Sequence, residues 1–248
     1  MALDFDGTLS PIVPRPEDAR IDPALEPAID RLRAAVGWML VISGRNRAFL
    51  DGRLPGLLTI GSYGLELPPE LSTAGLPEHF AAESARASLD LAREDLEAVL
   101  PSGSRLELKP WGLAMHYRGA GPGFDEGRVI QIANEVAERH GLVVQQGRLV
   151  LELSPPDAVD KGWALALAAA RFQPSAVVFV GDDLGDVPAW EATRQLGERI
   201  PSLAVAIASS ELPRGALASC DLVLEDRALL QPFLEALATT AGAGQSGS

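Results

Sequence analysis

The chain has 248 residues, 47% of them hydrophobic, and carries 34 Asp and Glu against 21 Lys and Arg, for a formal net charge of −13. That length and apolar fraction suffice for one large domain or two modest ones, and the acidic balance argues against nucleic acid or an anionic membrane as the main partner. An anionic substrate therefore needs a local basic patch or a metal, and the single cysteine, Cys220, allows no internal disulfide, which fits a reducing compartment.

No apolar run approaches the roughly 18 residues of a membrane span. The chain starts directly in a strand, without a basic and apolar leader, so a cytoplasmic location with no membrane partner is expected. That first strand is short and ends in Asp4-Phe5-Asp6-Gly7. Side chains at i and i+2 of an extended chain point the same way, so Asp4 and Asp6 are expected on one face at the strand's carboxyl end, with Gly7 allowing a tight turn. Taken alone, the segment reads equally well as a strand followed by an Asp-Gly turn.

Helical spacing over Leu25–Val36 leads to a buried strand at Trp38–Ile42, which ends in Ser43-Gly44-Arg45. Leu57–Ile60 is a third short strand closing on Gly61-Ser62-Tyr63-Gly64. Pro68-Pro69, with Gly75 and Pro77 behind them, break regular structure and mark a boundary. The pattern then changes to αββαββ: a long amphipathic helix through Leu100, two strands between Gly103 and Arg118, a helix over Phe124–His140 and two strands through Leu153. Hairpin turns at Pro110-Trp111-Gly112 and Gln146-Gly147 predict an antiparallel sheet with helices on one face.

After Pro155-Pro156 the alternation of strand and helix resumes: a helix over Ala164–Phe172, a strand over Ala176–Gly181, a helix over Val187–Leu196, and strands over Leu203–Ala208 and Asp221–Leu224. The expected fold is α/β, a doubly wound parallel-sheet (Rossmann-like) core built from residues 1–70 and 156–240. An inserted α+β cap spans 71–155, and a small, polar, disordered tail spans 241–248.

Four core segments carry the chemistry: Asp4/Asp6, Ser43, Lys161, and the Gly181-Asp182-Asp183-Leu184-Gly185-Asp186 run after the most apolar strand. Phosphoryl transfer is mostly positioning plus neutralisation of negative charge, which calls for a metal, an ammonium and hydrogen-bond donors. Asp4 is read as the nucleophile and Asp6 as the group that protonates the leaving oxygen and then activates water. Asp182, Asp4 and the main-chain carbonyl of Asp6 are read as Mg²⁺ ligands, with Asp183 and Asp186 as outer supports. Ser43 and Lys161 would hold phosphate oxygens, together with Gly44. Singly, Lys161 reads as a solvated helix residue, Ser43 as a turn former and the Asp run as a helix N-cap; their joint order points to chemistry.

DFDGTL, Ser43 in SGR, Lys161 in DKG, and GDD after VVFV resemble the four motifs of the haloacid dehalogenase superfamily of phosphatases, in that family's order and over nearly the whole chain. More narrowly, DFDGTLSPIV, SGRN, GSYGLE, the segment from Lys109 through HYR, and LELSPP are similar to trehalose-6-phosphate phosphatases. The resemblance implies a Mg²⁺-dependent phosphatase that forms an aspartyl-phosphate and a mixed α/β cap closing over a disaccharide phosphate, and it leaves functional coupling to trehalose-6-phosphate synthase open. Two places depart from the family pattern. Gly185 and Val187 stand where Thr and Glu are usual, and Ser62-Tyr63-Gly64 replaces a turn that usually carries histidine.

A core that handles only phosphate cannot tell one ester from another, so leaving-group recognition is expected from cap residues Lys109, His116, Arg118 and Glu152, with Arg45 and Glu66 on the core rim. His116 and Arg118 share a strand face with Ala114, while Tyr117 faces the other way with Met115. At this point three other readings stand beside the trehalose one. They are another sugar- or glycerate-phosphate phosphatase with the same cap, a phosphohexomutase-like phosphotransferase, and a non-catalytic sugar-phosphate sensor.

Overall fold

The computed structural model describes residues 1–72, 82–109, 112–117, 124–147, 149–156, 159–209, 212 and 215–245. Its strands are β1 (Ala2–Leu3), β2 (Leu40–Ile42), β3 (Leu58–Ile60), β4 (Arg105–Lys109), β5 (Gly112–His116), β6 (Val143–Gly147), β7 (Val150–Ser154), β8 (Val177–Gly181), β9 (Ser202–Ile207) and β10 (Leu222–Leu224). The helices are α1 (Glu26–Ala35), α2 (Arg47–Asp51), α3 (Pro69–Ser72), α4 (Ala82–Val99), α5 (Glu126–His140), α6 (Lys161–Phe172), α7 (Val187–Leu196) and α8 (Leu230–Gln245). The chain divides into two compact units, Met1–Ala74 with Val159–Ser248, and Gly75–Ala158.

In the first unit six parallel strands lie in the order β10-β9-β8-β1-β2-β3. Successive residues point to opposite faces, and both faces are covered. Leu3, Val41, Val180 and Val205 pack with Ile29 and Leu32 of α1 and Leu234 of α8. Ala2, Leu40, Phe179 and Ala204 pack with Leu165 of α6 and Trp190 of α7. Burial on both sides explains why these strands read as continuous apolar runs rather than alternating ones. The fully buried Trp190 satisfies its indole N–H by donating to the Val205 carbonyl at 2.9 Å.

The division falls a few residues beyond the expected 70 and 155. Leu71 of α3 is buried against Ala164 and Leu165 of α6, so α3 belongs to the core. Of the tail expected from 241, residues 241–245 lie in α8, which runs to Gln245 through Gly242 and Gly244, and 246–248 lie outside the described residues.

The second unit has the antiparallel order β4-β5-β7-β6. Leu113, Met115, Leu151 and Leu153 form its buried face, under Leu89 and Leu96 of α4 and Val129 and Val136 of α5. On the other face Ala114 lies opposite Glu107 on one side and Glu152 on the other, and Glu152 lies opposite Gln145, which makes a polar row across the sheet. Asp125 caps α5 by accepting the Arg128 N–H at 3.0 Å, and Gly141 ends it in the left-handed conformation at φ 66°. The expected hairpin residues Pro110 and Trp111 lie outside the described residues. Among the described residues, no helix is long and apolar enough to cross a membrane.

Candidate active site

Chain order in the core sheet reverses between β1 and β8, and open parallel sheets take ligands beyond the carboxyl ends of the strands at such a point. Asp4 and Asp182 are the residues that follow β1 and β8. Asp4 still donates its N–H to Val180 at 2.9 Å, after which the chain leaves the sheet. Ser10 donates to the Phe5 carbonyl and Gly7 to the Ser10 carbonyl, each at 2.8 Å, closing a tight loop. Gly7 sits at φ 81°, and a β-carbon there would lie 2.0 Å from Asp182 Oδ2, so both its conformation and its surroundings demand glycine. Thr8, buried, donates its hydroxyl to Asp182 Oδ1 at 3.4 Å, and the Ser209 hydroxyl donates to the Asp182 carbonyl at 3.1 Å.

Lys161 is the first residue of α6, whose N-cap Asp160 accepts the Trp163 N–H at 2.7 Å. It is one of only two lysines in the chain. Its Nζ donates to Asp4 Oδ1 at 2.6 Å and to Asp186 Oδ1 at 2.7 Å, and all three side chains are at most 4% exposed. The other oxygen of Asp186 accepts the N–H groups of Asp182 (2.9 Å) and Asp183 (3.1 Å). Asp183 is exposed and caps the single turn at 184–186. Carboxylate oxygens of Asp4, Asp182 and Asp186 all lie within 4.8 Å of one another.

Burial pushes the Asp4 carboxyl well above the ordinary range; Lys161 opposes this, and Asp186, Asp182 and Asp183 add to it. Burial also raises Asp182, with Asp183 and Asp186 adding to bring it to about 8, and raises Asp186 to about 6 against the pull of Lys161. Burial disfavours the Lys161 ammonium, but Asp186 and Asp4 outweigh it and its pKa rises well above the usual lysine value. Three buried carboxyls thus share one ammonium, so without a further cation they tend to keep protons, and ionising them together calls for more positive charge. Hard oxygen donors in excess of their cation are what a divalent ion such as Mg²⁺ takes, so the residues fit one.

These shifts set a pH dependence for the metal-free protein. A carboxyl whose folded pKa is raised gives stability that is complete below the unfolded value near 3.8 and lost as pH rises through the folded value, here about 6 for Asp186 and about 8 for Asp182. The Tm of chelated protein is expected to fall from pH 5 to pH 9, with Mg²⁺ restoring more of it at pH 9 than at pH 5. Scanning calorimetry measures both, and a Tm that rises with pH over this range would count against the buried triad.

Ser43 continues the β2–β3 ladder through its N–H to Ile60 at 3.0 Å, and its buried hydroxyl accepts the Arg45 N–H at 3.2 Å, which leaves its own O–H as a donor. Asp6 does not share partners with Asp4. The Arg45 guanidinium grips both Asp6 oxygens at 2.7 Å, because the chain turns out of the strand after Asp4. Arg45 also stands over the Phe49 ring at 4.8 Å. Glu66 has both oxygens committed within the core, accepting the Ser62 hydroxyl and the Arg47 N–H at 2.6 Å each, so it holds the 61–66 turn to the start of α2.

In the second unit His116 Nε2 is 2.8 Å from Glu107 Oε2, and Glu152 is half-buried in the same polar row. The side chain of Lys109 and all of Arg118 lie outside the described residues. Sequence reasoning placed Asp186 outside the central cluster and missed Thr8. For Thr8 a signal was present, the hydroxyl one residue past the Asp-Gly turn. The thiol of Cys220 is pushed up to about 12 by burial first and Asp221 second, as suits an inert side chain.

The trehalose-phosphatase family profile matches residues 2–216. A trehalose-phosphate phosphatase of Mycobacterium ulcerans is 35% identical over 210 residues, covering 80% of this chain and 52% of that protein. A Mycobacterium tuberculosis protein named as an uncharacterized glycosyl hydrolase is 35% identical over 211 residues, covering 79% of this chain and 15% of its own length. The chain therefore spans about half, or less, of the curated relatives it matches. Among solved structures, the C-terminal domain of a Candida albicans trehalose-6-phosphate phosphatase superposes with a TM-score of 0.71 at 22% identity, covering 96% of this chain and 91% of that one. A trehalose-6-phosphate phosphatase related protein gives 0.69 at 20% identity, covering 98% of both chains. At these identities the structures establish fold.

Proposed function

The chain belongs to the trehalose-phosphatase family, and from that premise we propose that it hydrolyses trehalose 6-phosphate to trehalose and inorganic phosphate. The observation that carries this reading is the buried cluster of Asp4, Lys161, Asp182 and Asp186 at the reversal point of the sheet.

Asp4 attacks phosphorus with one carboxylate oxygen as the bond from phosphorus to the sugar oxygen breaks, giving an aspartyl-phosphate. Asp6 delivers the proton that the departing alkoxide needs, then takes one from the water that attacks the acyl phosphate. For this, Asp6 must release at least one of its two bonds to Arg45. Arg45, beside Asp6, is assigned a contact with the substrate. Lys161 keeps the nucleophile from repelling a phosphate dianion, and the Ser43 hydroxyl and the Gly44 main chain donate to phosphoryl oxygens. Asp4 and Asp182, backed by Asp186 and by the Asp6 carbonyl, would hold Mg²⁺. The bound ion supplies Lewis-acid stabilisation of charge on the phosphoryl oxygens. We assign choice of ester to the second unit, with Lys109, His116, Arg118 and Glu152 as the residues in question.

Phosphate release across a panel of sugar and glycerate phosphates tests this. Trehalose 6-phosphate is expected to give the highest kcat/KM, chelation to abolish turnover and Mg²⁺ to restore it. A tenfold preference for another ester would overturn the sugar assignment, and undiminished hydrolysis after chelation would overturn the metal.

A further inference from the structure

The loop that follows Asp4 is held from behind by two charged side chains that belong to none of the four motif segments. Arg227 opens the single turn 227–229, three residues past the carboxyl end of β10, and Asp226 caps that turn by accepting the Ala228 N–H at 2.7 Å. Because β10 runs parallel to the other core strands, Arg227 leaves the sheet at the same edge as Asp4 and Asp182. Its Nη1 donates to the Thr8 carbonyl at 3.2 Å and its Nη2 to Asp22 Oδ2. Asp22 in turn donates its own N–H to the Leu9 carbonyl at 2.9 Å, while its Oδ1 accepts the Ala24 N–H at 3.0 Å. Successive carbonyls of the loop are thus fastened by two residues that are fastened to each other. Hydrogen bonds from Arg227 first, and from the Ala24 N–H second, hold the Asp22 carboxyl below its usual range, so the pair is charged at neutral pH.

What this clasp holds is the contact between the loop and Asp182. Thr8 is fully buried, and its hydroxyl donates to Asp182 Oδ1 at 3.4 Å. Threonine is β-branched and stiff about χ1, so the direction of that hydroxyl follows the backbone on which it sits. Fixing the peptide after Thr8 therefore fixes where the hydroxyl points. One residue earlier, Gly7 packs against Asp182 so closely that no β-carbon fits between them. Arg227 and Asp22 are 27% and 26% exposed, so as an ion pair alone they would add little to stability. A pair that merely tied the turn to the core would also have no need of a carbonyl in the catalytic loop.

From this arrangement we infer that Arg227 and Asp22 are positioning residues of the phosphoryl site, holding the Thr8–Leu9 segment so that the Thr8 hydroxyl sets the Asp182 carboxylate in the orientation that takes the divalent ion. Neither side chain touches ion or substrate. The inference rests on the proposed function for the role of Asp182 as a metal ligand, and Mg²⁺ binding is measurable without any ester.

Wild type, Arg227→Met, Thr8→Val and the double variant are titrated calorimetrically with Mg²⁺, and the Mg²⁺ concentration for half-maximal turnover is measured on the best ester of the panel. Partners that orient a metal's ligands are worth about 10–100-fold in metal affinity, so Thr8→Val should weaken Mg²⁺ binding about tenfold or more and Arg227→Met, one step further out, about three- to tenfold. The half-maximal concentration should shift by the same factor, with KM for the ester at saturating Mg²⁺ unchanged. Because both residues act on Asp182 through one hydroxyl, the double variant should bind Mg²⁺ no more weakly than Thr8→Val alone. Arg31→Met, which breaks the exposed Arg31–Glu235 pair between α1 and α8, is the control for loss of an ion pair and should keep the wild-type Mg²⁺ affinity. If Arg227→Met does not fold, Asp22→Asn decides: it keeps its N–H on Leu9, loosens only Arg227 and should weaken Mg²⁺ binding in the same direction. Wild-type Mg²⁺ affinity in the folded variant, or losses that add in the double variant, would overturn the proposal. Wild type that binds Mg²⁺ but hydrolyses no ester removes the proposed function and leaves Arg227 and Asp22 judged on the titration. Wild type that binds no Mg²⁺ overturns both.

Discussion

Asp4→Asn is expected to lower kcat by at least about 10⁴-fold, the scale on which loss of a covalent nucleophile is felt, while the protein folds. Asparagine matches the shape of the carboxylate and its carbonyl oxygen can still accept from Lys161, which keeps its second partner in Asp186. The charge removed is one that burial disfavours. The metal-free variant at pH 8 should therefore melt at or above the wild-type temperature, and Mg²⁺ should raise its Tm less than it raises that of wild type. Wild-type turnover in this variant would remove Asp4 from the chemistry. Lost activity accompanied by a large fall in the metal-free Tm would instead mark Asp4 as a structural residue.

Lys161→Met should show the opposite pattern, with both stability and activity falling. Methionine fills the volume but leaves Asp4 and Asp186 buried with no ammonium between them. Removing one partner of a buried ion pair costs about 3–5 kcal/mol. That loss should be read by denaturant unfolding at pH 8 and should shrink at pH 4, where the remaining carboxyls take protons. Loss of the charge that shields nucleophile from substrate predicts a fall of about 10²–10³-fold or more in kcat/KM, in the range seen when one electrostatic donor is removed. Lys161→Arg should rescue poorly, since a planar guanidinium cannot take the place of a compact ammonium 2.6 and 2.7 Å from two buried carboxylates. Wild-type stability in Lys161→Met would show that the carboxyls are neutral without it.

The parts of the site legible in the sequence are those that depend on local spacing and strand order. Asp4 and Asp182 each follow a short apolar strand, and once those strands are neighbours in a parallel sheet the two carboxyls must meet. Lys161 is legible as a residue near the start of the helix expected over Ala164–Phe172, though not as a residue 3% exposed between two carboxylates. The αββαββ insertion is legible because its periodicities change at Pro and Gly clusters.

Partners fixed by turns were not legible. Extrapolating strand alternation from Asp4 to Asp6 fails because the Phe5–Ser10 loop begins within the motif, and Asp6 then meets Arg45, 39 residues away. Glu66 looks like a sugar ligand by residue type, yet the turn it sits in uses both its oxygens. Asp186 looks peripheral, because only the single turn capped by Asp183 brings it back to Lys161. The left-handed conformations of Ser62 and Tyr63 have no signature in residue type, since glycine would be the usual occupant.

The most direct test of convergence on Asp4 is to acid-quench the wild-type protein during turnover of radiolabelled trehalose 6-phosphate with Mg²⁺, then map any phosphorylated peptide by mass spectrometry. A phosphoryl group on the peptide that carries Asp4, absent without Mg²⁺ and absent in Asp4→Asn, is the predicted result. Label on another residue, or label on Asp4 that forms equally well after chelation, would contradict it.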